Sequence, residues 1–319
     1  MPRTFLIDTD TASDDAVALI MALRGPDVRV AAITVVSGNV PLPQGVVNAL
    51  YTCALCGRDD VPVFAGADRP LRRAPAHALW FHGADGMGDM NYPAPSRSPE
   101  STHAVDAIID AIRANPGIEV ATLGPLTNVA LALQREPSIV KQVSRCVVMG
   151  GNPCCEGNVT PAAEYNIWCD PEAAQTVLHS GLPVELVGWQ LSRGRAVLSH
   201  DDIARVRALD TTLAHFAIDC NRVAMRAYRT QTGEEGIALP DPIAMAVALD
   251  PSVCTRADAH RIEVETRSEL TRGMTVVDKL GVVTGDAHHA AWDHDAGKCT
   301  ICWEIDVERW KRMLLDALR

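Results

Sequence analysis

Hydrophobic positions along the chain fall into short runs that alternate between two periods. Thr4 to Ile7 is an apolar run of strand length, and Val28–Val36 (VRVAAITVV) is a second, stronger one. Val61–Ala65, Glu119–Leu123, Arg145–Met149 and Val184–Val187 repeat the pattern. Between them lie stretches with helical spacing: Ala16–Leu23, Leu42–Cys56, Ser101–Ala114, about 127–134, and one opened by Asp170-Pro171-Glu172 as N-cap, N1 and N2. Ser13 is expected to cap the first helix. Strand and helix in alternation predict an α/β protein with an open, mostly parallel sheet flanked by helices. The second half reads differently. Residues 199–229 are mainly helical, and Asp241-Pro242 opens a helix with Asp241 as its N-cap. Arg261–Thr266, Met274–Val277 and Thr300–Ile305 read as further strands, a mixed edge to the sheet, and Glu308–Leu318 as a closing helix. No repeat, low-complexity segment or linker interrupts the chain, so one domain spanning 1–319 is expected.

The polar residues concentrate where strands end. Four aspartates, Asp8, Asp10, Asp14 and Asp15, fall within eight residues after the first strand. Asn39 follows the second strand, Leu123-Gly124 another, Met149-Gly150-Gly151 another and Trp189 another. In open α/β sheets the carboxyl ends of the strands are where ligands sit. Carboxylates this close repel one another unless a cation lies among them, and hard oxygen donors suit Ca²⁺ or Mg²⁺ better than zinc. Asp14 and Asp15 lie in a first helical turn, which favours negative charge. Neighbours there diverge by about 100°, so one can face a metal and the other a substrate. Acids and amides without a basic cluster suit a neutral polyhydroxylated ligand. No Walker loop, GxGxxG or GxSxG occurs in strand context.

Composition narrows the picture further. A net charge of −11 and a pI near 5.3 argue against a nucleic-acid surface. No apolar run has the length of a membrane span. The first strand begins within a few residues of the start, without a signal peptide, so a cytoplasmic protein with reduced thiols is expected. The ten cysteines include two CxxC pairs, Cys53/Cys56 on a helix and Cys299/Cys302 on a strand. Spacing three puts the first pair on one face and the second on opposite faces, so ordinary buried cysteine is expected rather than a shared zinc site. The long proline- and glycine-containing segment 68–100 holds Trp80-Phe81-His82-Gly83, and a loop of that length is often functional.

The order of these motifs resembles the nucleoside hydrolases (nucleoside N-ribohydrolases, inosine-uridine preferring type). Asp8-Thr9-Asp10 with Asp14-Asp15, Gly38-Asn39, His82-Gly83, Gly124 to Asn128, Met149-Gly150-Gly151, Glu156-Gly157-Asn158, Glu164-Tyr165-Asn166 and Asp241-Pro242 carry the likeness across most of the chain. The resemblance implies hydrolysis of the N-glycosidic bond of ribonucleosides. It implies Ca²⁺ held by Asp10, Asp15, the Leu123 carbonyl and Asp241, with Asp10 taking a proton from the calcium-bound water. Asp14, Asn39 and Asn166 would contact the ribose 2′- and 3′-hydroxyls with help from Asp241. Asn158 and Glu164 would hold the 5′-hydroxyl, the main chain at Met149 would line the sugar pocket, and His82 would border the substrate. Asp8 reads as loop support and Trp189 as packing. Arg222, Arg226 and Tyr228 precede the Asp241 segment in a region that approaches the base. A homodimer or homotetramer is also implied. One departure stands out: Pro240 occupies the position where many members carry a histidine proposed to protonate the departing base. The competing readings are a haloacid-dehalogenase-like phosphohydrolase, suggested by Asp8-Thr9-Asp10, and a noncatalytic calcium-dependent nucleoside or ribose binder.

Overall fold

The computed structural model describes residues 2–283, 292 and 297–319. Its strands are β1 (Arg3–Thr9), β2 (Val28–Val35), β3 (Val63–Ala65), β4 (Ile118–Thr122), β5 (Val143–Met149), β6 (Val184–Val187), β7 (Cys254–His260), β8 (Ile262–Val264), β9 (Thr275–Val277) and β10 (Cys299–Ile305). Eight form one sheet in the order β3-β2-β1-β4-β5-β6-β10-β7. Every neighbouring pair is parallel except β10–β7, which is antiparallel at the edge. β8 and β9 make a separate antiparallel ribbon. The expected α/β class with its mixed edge is what the chain adopts.

The sheet is buried on both faces, which explains why its strands read as continuous apolar runs. Phe5 and Ile7 of β1 join one core and Leu6 joins the other. Cys302 and Cys299 of β10 likewise face opposite cores, and the ten cysteines are all free thiols. Among the described residues no cysteine belongs to a group able to hold a metal.

Two helices position the acidic residues. Ser13–Leu23 and Pro240–Leu249 are almost entirely apolar beyond their first turns, and both are buried on nearly every side. A helix apolar all round must be covered on all sides. These two meet that need partly by packing on each other. Their N-terminal turns carry Asp14, Asp15 and Asp241.

Four expectations change. Ala12, not Ser13, is at the N-cap position; the helix starts at Ser13, whose hydroxyl turns to His82 instead. Asp241 is not an N-cap either. The Pro-Asp-Pro run offers two prolines, and Pro240 takes N1, with Leu239 at the cap position. That leaves the Asp241 carboxylate inside the first turn. The polar stretch around Glu164 contains a short helix, Tyr165–Cys169, that Glu164 caps. Finally, β7 is a strand that the hydrophobic pattern does not predict. Its sequence CTRADAH is largely exposed, as suits an edge strand with charged side chains.

The closing helix Val307–Ala317 packs on the Pro240–Leu249 and Ser13–Leu23 helices, and its Trp310 is fully buried in that core. Trp310→Ala should therefore cost about 3–5 kcal/mol, as large-to-small core changes do. Urea unfolding measures it, and a loss below about 1 kcal/mol would show that this helix lies outside the cooperative core.

Candidate active site

Asp10 sits just past β1 with no solvent exposure. Its Oδ2 accepts the Asn39 backbone N–H at 2.5 Å, and its Oδ1 has no partner. The chain comes so close here that side chains are excluded. A Cβ at Gly38 would stand 2.0 Å from Asp10 Oδ2, and one at Gly124 would stand 2.8 Å from Oδ1. The glycines of two sequence motifs thus serve a third residue.

Asp15 is held by donors on its own loop: Thr9 Oγ1 at 2.6 Å and the Ala12 N–H at 2.9 Å. Asp14 keeps one oxygen unpartnered and lies 3.8 Å from His82 Nδ1. Oxygens of Asp14, Asp15 and Asp241 converge within 4.8 Å of one another. Asp10 adjoins this group through its charge coupling to Asp15. Burial, reinforced by mutual repulsion, drives Asp10 and Asp241 well above the usual carboxylate range and Asp14 to about 7. Burial also raises Asp15, against the pull of Thr9 and Ala12.

Asp8 belongs to a different network. One oxygen accepts from Thr34 Oγ1 at 2.5 Å and Asn128 Nδ2 at 2.9 Å, and burial raises the group to about 7. The Asn128 amide also accepts the Ala67 N–H and donates to the Val35 carbonyl. It ties the ends of β1, β2 and β3 together.

A cleft opens beside this cluster. Its wall includes Asp14, Asn39, His82, Met149, Asn158, Glu164, Asn166 and Asp241, together with Trp80, Phe81, Tyr165, Trp189, Asn221, Ala224, Gln231 and Pro240. Among the described residues no lysine or arginine lines it. Glu164 is fixed by three backbone donors, Gly151 at 2.9 Å, Asn166 at 2.9 Å and Ile167 at 3.3 Å, and burial raises it to about 7. Asn158 Oδ1 accepts the Tyr165 N–H at 2.9 Å. Asn166 Nδ2 donates to the Leu123 carbonyl at 2.8 Å.

Several residues with two readings in the sequence find definite places. Trp189 lines the cavity and also packs edge-on against Tyr228. Tyr228 is fully buried away from the cavity wall, and its hydroxyl donates to Glu234. Arg222 is spent on the Gly88 and Asp89 carbonyls, and Arg226 does not line the cavity. Sequence reasoning misses Asn221 and Gln231. Each lies in a helical stretch where a lone amide gives no signal of its own.

The profile of the inosine-uridine preferring nucleoside hydrolases matches residues 5–312. The chain belongs to this nucleoside hydrolase family. It is 35% identical over 321 residues to the inosine-uridine preferring nucleoside hydrolase of Crithidia fasciculata, covering all of this chain and 98% of that one. It is 36% identical over 320 residues to the pyrimidine-specific ribonucleoside hydrolase RihA of Shewanella sp. strain MR-7, covering all of this chain and 96% of the relative. Its fold superposes on a plant nucleoside hydrolase with a TM-score of 0.94 at 31% identity, over all of this chain and 99% of the other. The protein is thus a ribonucleoside hydrolase, an enzyme acting on N-glycosyl compounds, and not the dehalogenase-like phosphohydrolase or the noncatalytic binder. Nucleoside hydrolases of this family are metal-dependent, and the converging aspartates form a group able to hold an ion. The donor set fits one: every ligand atom is a hard oxygen, and Asp10 and Asp14 each keep a buried oxygen without a partner. Among the described residues no helix is long and apolar enough to cross a membrane.

The raised carboxylates make stability depend on pH in a defined direction. Asp8, Asp14 and Glu164 bind protons in the folded chain up to about pH 7, but in the unfolded chain only up to about 4. Their contribution is therefore fully present below about pH 4 and lost as pH rises towards 7. In the presence of chelator the thermal midpoint should fall between pH 5 and pH 8, and an added divalent cation should reduce the fall. A flat or rising midpoint in chelator would contradict this electrostatic picture.

Proposed function

We propose that this hydrolase is calcium-dependent and cleaves ribonucleosides to ribose and free base, with Asp10 as general base. The observation that carries the reading is the state of Asp10: one oxygen is fixed by Asn39, the other is buried beside the acidic cluster with nothing to bond. A base needs an oriented lone pair facing the proton it takes. Asp10, Asp15, Asp241 and the Leu123 carbonyl would hold the Ca²⁺. When bound, the cation keeps these carboxylates ionised and makes a nearby water more acidic.

The chain's own residues supply the rest. Asp14, Asn39 and Asn166, with Asp241, hold the ribose 2′- and 3′-hydroxyls. Asn158 and Glu164 hold the 5′-hydroxyl, and the main chain at Met149 closes the sugar side. Cleavage of an N-glycoside develops positive charge on the ribosyl ring, as O-glycoside cleavage does. Buried carboxylates around that ring stabilise it, and among the described residues no lysine or arginine on the wall opposes them. A wall of acids, amides and aromatics without lysine or arginine supports a neutral nucleoside over a nucleotide. The whole chain reads as one hydrolase domain, on the support of a single large sheet with both cores built against it.

The direct test is a reducing-sugar assay across the common nucleosides and nitrophenyl riboside, with and without chelator. Turnover should vanish in chelator and return with Ca²⁺. Asp10→Asn should fold normally yet lose roughly 10²–10⁴ in turnover, the usual worth of a general base. Near-full activity in Asp10→Asn at unchanged calcium content would remove Asp10 from that role.

Leaving-group protonation is the open part of the site. Pro240 cannot donate a proton, burial lowers His82 to about 3, and the Tyr228 hydroxyl is engaged by Glu234. Nitrophenolate needs no proton to leave, so nitrophenyl riboside should turn over far faster than inosine or uridine. Pro240→His should raise nucleoside turnover, by up to roughly 10²–10⁴, and barely change nitrophenyl riboside. Calcium content must be checked alongside, because Pro240 sets the start of the Asp241 helix. Equal wild-type rates on nucleosides and nitrophenyl riboside would show that an acid is already in place.

A further inference from the structure

The buried side-chain oxygens without partners include three that belong to residues around the active site: Asp10 Oδ1, Asp14 Oδ1 and Asn221 Oδ1. The first two are accounted for by the acidic cluster and the sugar. Asn221 is not. It is fully buried, lines the cavity and precedes the Arg222–Thr232 helix. Its position is shared down one helical face by Ala224 and Gln231, which also line the cavity.

Which end of the amide is free follows from its neighbours. Nδ2 donates to the Ala217 carbonyl at 3.0 Å and lies 3.3 Å from Cys220 Sγ. Turning the amide over would set Oδ1 against the Ala217 carbonyl, two acceptors face to face. The amide is therefore anchored with its nitrogen inward, and Oδ1 is the atom left over. A buried acceptor left unpaired is costly, and the missing partner must be a donor.

The cavity's sugar side holds Asp14, Asn39, Asn158, Glu164 and Asn166. Asn221 instead opens the Arg222–Thr232 helix, which packs on the Leu79–His82 helix whose Trp80 and Phe81 form an aromatic part of the cavity wall. Cys220 Sγ donates to the Ser13 carbonyl, and the Ser13 hydroxyl meets His82 Nδ1 at 2.8 Å. We infer that Asn221 reads the departing base, its Oδ1 accepting a ring N–H or exocyclic amine of the nucleobase, so that the enzyme selects ribonucleosides whose base offers such a donor. This role rests on the proposed hydrolase activity. Asn221 takes no proton and gives none; it orients and selects.

The test compares kcat/KM on uridine against 3-methyluridine and on inosine against 1-methylinosine, with nitrophenyl riboside measured alongside. In the wild-type enzyme, methylating the N–H should cost roughly 10–100-fold, the range expected when a buried acceptor loses its donor. In Asn221→Leu that penalty should shrink to within about threefold, because the parent nucleosides fall while the methylated ones do not. Should Asn221→Leu fail to fold, Asn221→Ala removes the same acceptor and is read the same way. An equal penalty in wild type and variant, or no penalty in wild type, overturns the role of Asn221 while leaving the hydrolase intact. No cleavage of any riboside by wild type, nitrophenyl riboside included, sinks the hydrolase reading and this inference with it.

Discussion

Repulsion among buried carboxylates is the constraint on which the rest of this structure depends. Asp14, Asp15 and Asp241 bring oxygens within 4.8 Å of one another, and Asp10 adjoins them without solvent exposure. At an effective dielectric of about 20, each ionised pair at that distance costs on the order of 3 kcal/mol. Three such pairs approach the whole net stability of a typical domain, about 5–15 kcal/mol. The cluster can persist only because much larger apolar burial holds it. The Ser13–Leu23 and Pro240–Leu249 helices are that hold: both are covered on nearly all sides, so neither can rotate or slide to separate its acids. The result is a site that releases its strain by taking up protons or a cation, which is the property a metal-dependent base requires.

Neighbouring acids on one loop are given different work by their hydrogen bonds. Asp8, inside β1, has two side-chain donors on one oxygen and joins the ends of three strands through Asn128. Asp15 has two donors from its own loop. Asp10 and Asp14 each keep a buried oxygen with no donor from the chain, as Asp8 does, but theirs belong to acids that adjoin the other carboxylates of the cluster. Glu164 combines both kinds of work: three backbone N–H groups hold it as a helix cap, yet it also lines the cavity. Removing it would disturb the loop that carries Asn158 and Asn166 as well as the cavity wall.

The fold was legible wherever burial and period agree. Strands buried on both faces announced themselves as apolar runs, and β6 has its expected bounds to the residue. The sequence was silent where those signals fail. β7 is an exposed edge without a large hydrophobic residue. Glu164 caps a helix although glutamate is not a favoured capping residue. Pro240-Asp241-Pro242 is ambiguous because either proline can take N1, and only packing decides. Within the site, the aspartates and the strand-end amides were visible because they cluster in sequence. Asn221 and Gln231 were not, since their meaning arises from facing one cavity across distant segments.

That difference follows the two halves of the cavity. One side is assembled from the ends of the central parallel strands and the loops directly after them, where backbone positions are fixed by the sheet's hydrogen bonds. Asp10, Asn39, the Leu123 carbonyl and Met149 all follow or end a strand. The opposite side comes from Trp80 to His82, Trp189 and residues 221–240, which are short helices and turns outside the sheet. Their side chains can change without altering any strand register. Pro240 and Asp241 are adjacent residues on the cavity wall, the second of them in the acidic cluster. A change that tunes leaving-group chemistry at Pro240 therefore acts on the first turn of the helix that carries the fourth carboxylate. Asn221 lies on a separate helix, anchored by the Ala217 carbonyl.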